Sequence, residues 1–225
     1  MRLEIVTTTF DETLLAAQAG ADRVELVSGI TEGALTPTWG SVKGVHDHAP
    51  IPAYCMIRPH AHGFVYSEND VAEMIADIQN QRGLADHFVL GCLTPEKTID
   101  EAVLIQLVEA CGDTPIVFHK AFDQTKDQKA ALQTLARYPQ IQRVLSNYQA
   151  VDLVQEIDRV QEMMNFAASL GIKTTFAGGI NQESIQILKT IGAEDVHISS
   201  AARIDGLAKN QLDAERIQNF RRLCD

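Results

Sequence analysis

Residues 116–123 read Ile-Val-Phe-His-Lys-Ala-Phe-Asp, an apolar run that stops at a histidine, a lysine and an aspartate. Imidazole titrates near neutrality, so His119 can give or take a proton, and Asp123 can orient it or bind substrate. A core histidine bonded to a backbone carbonyl is the plainer alternative. Side chains alternate along a strand, so Lys120 is expected to face away from His119, which argues against a Schiff-base lysine here. Two further acids, Glu4 and Glu25, lie inside strand-like runs, Leu-Glu-Ile-Val and Arg-Val-Glu-Leu-Val. A carboxylate ionised in a barrel interior costs several kcal/mol unless paired, and Arg58 is the expected partner. Those groups form either an ionic staple or, with Glu25 as a base of raised pKa, a catalytic set of Glu25, Arg58, His119 and Asp123.

The elements that must carry these residues repeat along the chain. Short apolar runs begin at positions 3, 23, 52, 87, 116, 143, 173 and 195. Between them lie helical patterns over 10–19, 39–46, 67–82, 98–111, 127–137, 151–170 and 181–191, with a last one over 213–223. Expected start signals are Thr36-Pro37, Ser67, the capping box Thr98-x-x-Glu101 and Asn181, and glycines 20, 83, 171 and 192 end helices. Eight βα units without a linker predict a single-domain (β/α)8 TIM barrel over residues 1–225, whose site lies at the strand ends. A doubly wound open sheet is the alternative, weakened because Thr7-Thr8-Thr9-Phe10 stands where a glycine fingerprint would follow the first strand. In such barrels the loops after the last two strands often cradle phosphate. That makes Gly178, Gly179, Ser199 and Ser200 the expected anion-binding set, tight-turn geometry being the other use for the glycines. Candidate metal donors are Cys55, Met56, His60, His62 and Cys92, at nonspecific spacing.

A formal charge of -11 and a pI near 5.0 exclude a phosphate-tracking nucleic-acid surface. No apolar run is long enough to span a bilayer, and Met1 leads straight into the first strand-like run, so no membrane partner is expected. Cysteines 55, 92, 111 and 224 lack paired C-x-x-C spacing and suit a reducing, cytoplasmic setting.

Several motifs in order resemble the CutC copper homeostasis family: Leu3-Glu4-Ile5, Ala21-Asp22-Arg23-Val24-Glu25-Leu26, Thr31-Glu32-Gly33-Ala34-Leu35-Thr36-Pro37, Met56-Ile57-Arg58-Pro59, Phe118-His119-Lys120-Ala121-Phe122-Asp123, Ala177-Gly178-Gly179 and Val196-His197-Ile198-Ser199-Ser200-Ala201. The resemblance implies a cytoplasmic (β/α)8 barrel, a homodimer or other homo-oligomer, linked to copper tolerance and trafficking. It also implies copper as the cofactor, through cysteines of Glu-Val-Cys and Glu-Leu-Cys patterns. Val6 and Val27 occupy those positions, and valine cannot bind Cu(I), so that site does not transfer. A substitute site from Cys55, Cys92, His60 and His62 is the copper alternative. A barrel enzyme acting on a small anionic or phosphorylated metabolite is the other functional class.

Overall fold

Parallel strands each followed by a helix can bury both faces only by closing on themselves or stacking between helix layers. The computed structural model describes residues 1–225 and takes the first course. Strands β1 (Arg2–Thr7), β2 (Arg23–Leu26), β3 (Ala53–Met56), β4 (His87–Leu90), β5 (Ile116–Phe118), β6 (Ile141–Ser146), β7 (Lys173–Phe176) and β8 (Asp195–Ile198) form a closed barrel in sequence order. Closure is made by β8 against β1, in the register Leu3↔Val196 and Ile5↔Ile198. Around it run α1 (Phe10–Gln18), α2 (Trp39–His48), α3 (Glu68–Gln81), α4 (Glu101–Cys111), α5 (Gln128–Leu135), α6 (Ile157–Ser169), α7 (Gln182–Thr190) and α8 (Ala214–Cys224). This is the expected (β/α)8 barrel.

Alternation divides the core in two. Leu3, Ile5, Val24 and Leu26 point outward and join the large cluster under the helices. Val6, Tyr54, Met56, Val89, Val117, Leu145 and Ala177 point inward and form a small apolar cluster inside the barrel. Glu4, Arg23, Arg143, Thr175 and Asp195 are also buried, and they bond to one another. The barrel interior is therefore shared between a charged, hydrogen-bonded network and an apolar cluster that lies beneath a polar mouth.

Ser67 and Asn181 cap their helices through capping boxes, as expected. Three starts differ. Thr38, not Thr36, caps α2, because the Thr36 hydroxyl is bonded to the Arg58 carbonyl. Asp100 caps α4, while Thr98 pairs with Thr94 in a turn. Helix α6 begins at Ile157 rather than 151, since the Asp152 and Glu156 carboxylates take the backbone N–H groups of Val151, Asp152, Val154 and Gln155 into a turn. Side chains that satisfy the backbone locally compete with helix formation.

Candidate functional site

At the C-terminal mouth of the barrel lies a cavity of about 280 Å³. Its walls include Glu25, Met56, Arg58, His119, Lys120, Gly178, Gly179, His197, Ser199 and Ser200. Five strand ends far apart in sequence thus deliver polar groups to one place, where ligands bind in barrels of this type. Of the predicted catalytic and anion-binding residues only Asp123 is not in the lining.

The acid side is built on β1, β2 and β8. Glu4 and Glu25 face inward, but their partner is His197, not Arg58. Nδ1 of His197 lies 2.7 Å from the Glu4 carboxylate and 3.2 Å from that of Glu25. Arg23 holds Glu4 from the other side and also reaches Asp195. Burial works to raise the Glu4 pKa, but Arg23 and His197 outweigh it and hold the group well below the usual carboxylate range. Glu25 lacks such a cation of its own. Burial raises it, the His197 charge opposes, the Glu4 carboxylate adds, and its pKa is pushed up to about 7. For His197, burial disfavours the imidazolium, yet Glu25 and the bond to Glu4 prevail and raise its pKa. A carboxyl group that exchanges its proton near neutrality is suited to general acid–base work.

Across the cavity stand β3 and β5. His119 closes β5 and turns its Nδ1 to accept from the Ala121 N–H at 3.2 Å, which puts the ring proton on Nε2. That Nε2 is buried without a partner. Burial, then the Arg58 charge, depresses its pKa to about 3, so the ring is a neutral donor at physiological pH rather than an acid–base group cycling near 7. Arg58 is 7% exposed and makes no salt bridge. Its Nη1 bonds the carbonyls of Gly33 and Ala34 at 2.7 and 3.3 Å, its plane covers Phe64 at 4.7 Å, and Nε has no partner. The other buried arginines, 23, 143 and 203, each face a carboxylate.

Lys120 and Asp123 depart from expectation together. Strand β5 ends at Phe118, and a 3-10 turn over Lys120–Gln124 breaks the alternation, so Lys120 lines the same cavity as His119. Asp123 pairs with Lys120 and accepts from Ser146. It positions the lysine and the end of β6, not His119.

The anion-binding candidates also meet here. Gly178 and Gly179 have successive left-handed φ values of +101° and +71°. The backbone N–H groups of Gly178, Gly179, Ile180, Ser199 and Ser200 donate to no acceptor within the chain. Successive free N–H groups in such a turn make an anion-binding concavity. Lys120 Nζ stands beside it, 3.3 Å from where a Gly178 Cβ would be.

The donors do not fit copper held by thiolates. Cys55 and Cys92 are buried in the layer under the helices, where burial pushes Cys55 up to about 12 and Cys92 higher. His60 and His62 stack on each other outside the cavity, with His60 turned to Asp70. The predicted substitute site is therefore not assembled. The one group of three metal-capable side chains within 4.8 Å is Glu4, Glu25 and His197. It offers oxygen and nitrogen without sulfur, and Glu4 is already tied to Arg23, a poor match to Cu(I). His197, which alternation with Ser199 places in the barrel interior, and Lys120, expected to face away, stand outside the expected catalytic and anion-binding sets. The only signal for His197 was its place two residues before Ser199.

Fold and cavity define a single-domain (β/α)8 barrel with a polar-lined cavity at its strand ends. Within that class the chain belongs to the CutC family, which it matches over residues 1–202. It is 34% identical over 200 residues to a family protein CutC of Mesorhizobium japonicum, covering 88% of this chain and 77% of that one. It is 33% identical over 205 residues to the human copper homeostasis protein cutC homolog, covering 90% and 74%. The solved structure of CutC from Streptococcus agalactiae superposes with a TM-score of 0.79 at 28% identity, covering 88% and 97%. Phosphoribosylanthranilate isomerase of Thermotoga maritima shares the fold alone, with a TM-score of 0.58 at 13% identity over 100% of this chain and 98% of that one. No helix is long and apolar enough to cross a membrane.

Proposed function

We propose that this protein is an acid–base enzyme acting on a small anionic, phosphorylated metabolite. Glu25 removes a proton from the bound substrate, and Nε2–H of neutral His119 hydrogen-bonds the oxygen on which negative charge develops. His197 passes charge between Glu25 and the fixed Glu4–Arg23 pair, so that Glu25 can lose and regain its proton without leaving a bare charge in the barrel. The loop Gly178-Gly179, with Ser199, Ser200 and Lys120, holds the phosphate. The observation that carries this reading is a carboxyl group titrating near 7 in the same cavity as an imidazole held neutral. Environments that push two groups apart in this way separate the base from the hydrogen-bond donor. The test is solvent deuterium uptake, followed by NMR, across a panel of phosphorylated hydroxy- and oxo-compounds. Exchange that survives Glu25→Gln unchanged would sink the proposal.

A role in copper homeostasis is the second reading, favoured by the names of the mouse and human relatives, copper homeostasis protein cutC homologs. Thiolate carriage of Cu(I) is the form of that role that titration can test, the four cysteines being free and suited to the cytoplasm. Titration of the protein with Cu(I) against a competing chelator separates the two. Stoichiometric binding abolished by thiol alkylation supports copper carriage and contradicts the donor arrangement described above.

A further inference from the structure

We infer that the ligand of this cavity carries a second acidic group, a carboxylate, recognised by Arg58 and His119 on the wall opposite the phosphate loop. The inference rests on the anionic-substrate reading above and adds the chemistry of the substrate's other end.

A guanidinium taken out of water needs an opposite charge, and three of the four buried arginines have one within the chain. Arg58 has two carbonyl oxygens, both on Nη1, with the neutral Tyr66 hydroxyl beside its guanidinium and no carboxylate. Phe64 covers one face of its plane. What is left is the Nε–Nη2 edge, a planar fork that matches a carboxylate in two parallel hydrogen bonds. His119, 97% buried, adds a neutral N–H with no acceptor in the protein. Two unsatisfied donors in one buried corner call for an acceptor group of modest size, and a neutral imidazole favours a carboxylate already charge-matched by the arginine. Gly178, Gly179, Ser199 and Ser200 sit on the β7 and β8 side, away from the β3 and β5 corner, and their free N–H groups suit the several oxygens of a phosphate. One occupant cannot satisfy both donor sets with one acidic group. A phosphorylated hydroxy or oxo acid satisfies both and lays its carbon chain past Glu25.

Binding of 2-phosphoglycolate, 3-phosphoglycerate, glycerol 3-phosphate and inorganic phosphate to the full chain, by calorimetry and thermal shift, tests this. At least one phospho-carboxylate is expected to bind about tenfold or more tighter than glycerol 3-phosphate, in line with a charge-assisted pair. Arg58→Gln should bring the two to within about twofold while phosphate binding persists, and Arg58→Lys should keep part of the preference. The wild-type panel alone decides if Arg58→Gln does not fold. Phosphate and glycerol 3-phosphate bound as tightly as both phospho-carboxylates would overturn this inference and leave the phosphate site standing. No binding of any of the four would overturn both.

Discussion

Two parts of the barrel interior handle buried charge in opposite ways. In the half nearer the strand starts, Arg23 and Arg143 share Asp195 and Thr175, Arg23 also holds Glu4, and its guanidinium covers Tyr54 at 4.9 Å. Every ion there has its counterion. At the mouth, Arg58 and His119 keep donors without acceptors, Glu25 shares a single histidine with Glu4, and the glycine loop leaves its N–H groups open. A saturated network contributes to specifying the fold, whereas an unsaturated one waits for something that is not protein. The boundary between the two runs through His197.

That contrast can be broken by substitution. Arg23→Met should have the largest effect, because it takes from Glu4 its only arginine and leaves Asp195 to Arg143 and the half-exposed Arg2. A loss of about 3–5 kcal/mol in urea denaturation is expected for a broken buried pair, and a loss under about 1 kcal/mol would show that the network is not tight. Glu25→Gln comes next and is read in pH. The folded pKa of Glu25 is raised from 4.5 to about 7. Its proton therefore stabilises the fold below pH 4.5, and that contribution is lost as pH rises to about 7. Wild type should lose stability over this window relative to Glu25→Gln, and parallel pH curves for the two proteins would refute the shift. The rate of any reaction using Glu25 as base should rise through the same window.

Smaller changes sharpen the picture of the mouth. Gly178→Ala imposes a side chain at φ +101° beside Lys120 and Asn147, and should cost about 1–2 kcal/mol while weakening phosphate binding. Arg58→Gln should cost about 1–2 kcal/mol without ligand, since it breaks two hydrogen bonds to the Gly33 and Ala34 carbonyls but no ion pair, and the measurement that checks it is the same urea series. A cost equal to that of Arg23→Met would erase the distinction between the regions. His119→Asn should change little at pH 7. The His119 pKa is lowered from 6.5 to about 3, so wild type loses stability as pH falls below 6.5 and the variant should lose less.

The amino-acid sequence determined the eightfold repeat, because apolar strand runs and capped helices are local patterns that each segment carries alone. It also determined that Glu25, Arg58, His119 and the glycine pair stand at strand ends, and closure of such a barrel brings strand ends together. The tertiary structure decided who pairs with whom. Glu4 meets His197 across 193 positions of sequence, and no local pattern encodes a contact between the first and last strands. It also turned Lys120 into the cavity by ending β5 one residue before His119, and it left Arg58 without the glutamate that its charge suggested. Strand ends are written in local propensity, but the charge balance of a closed interior exists only once the barrel has closed.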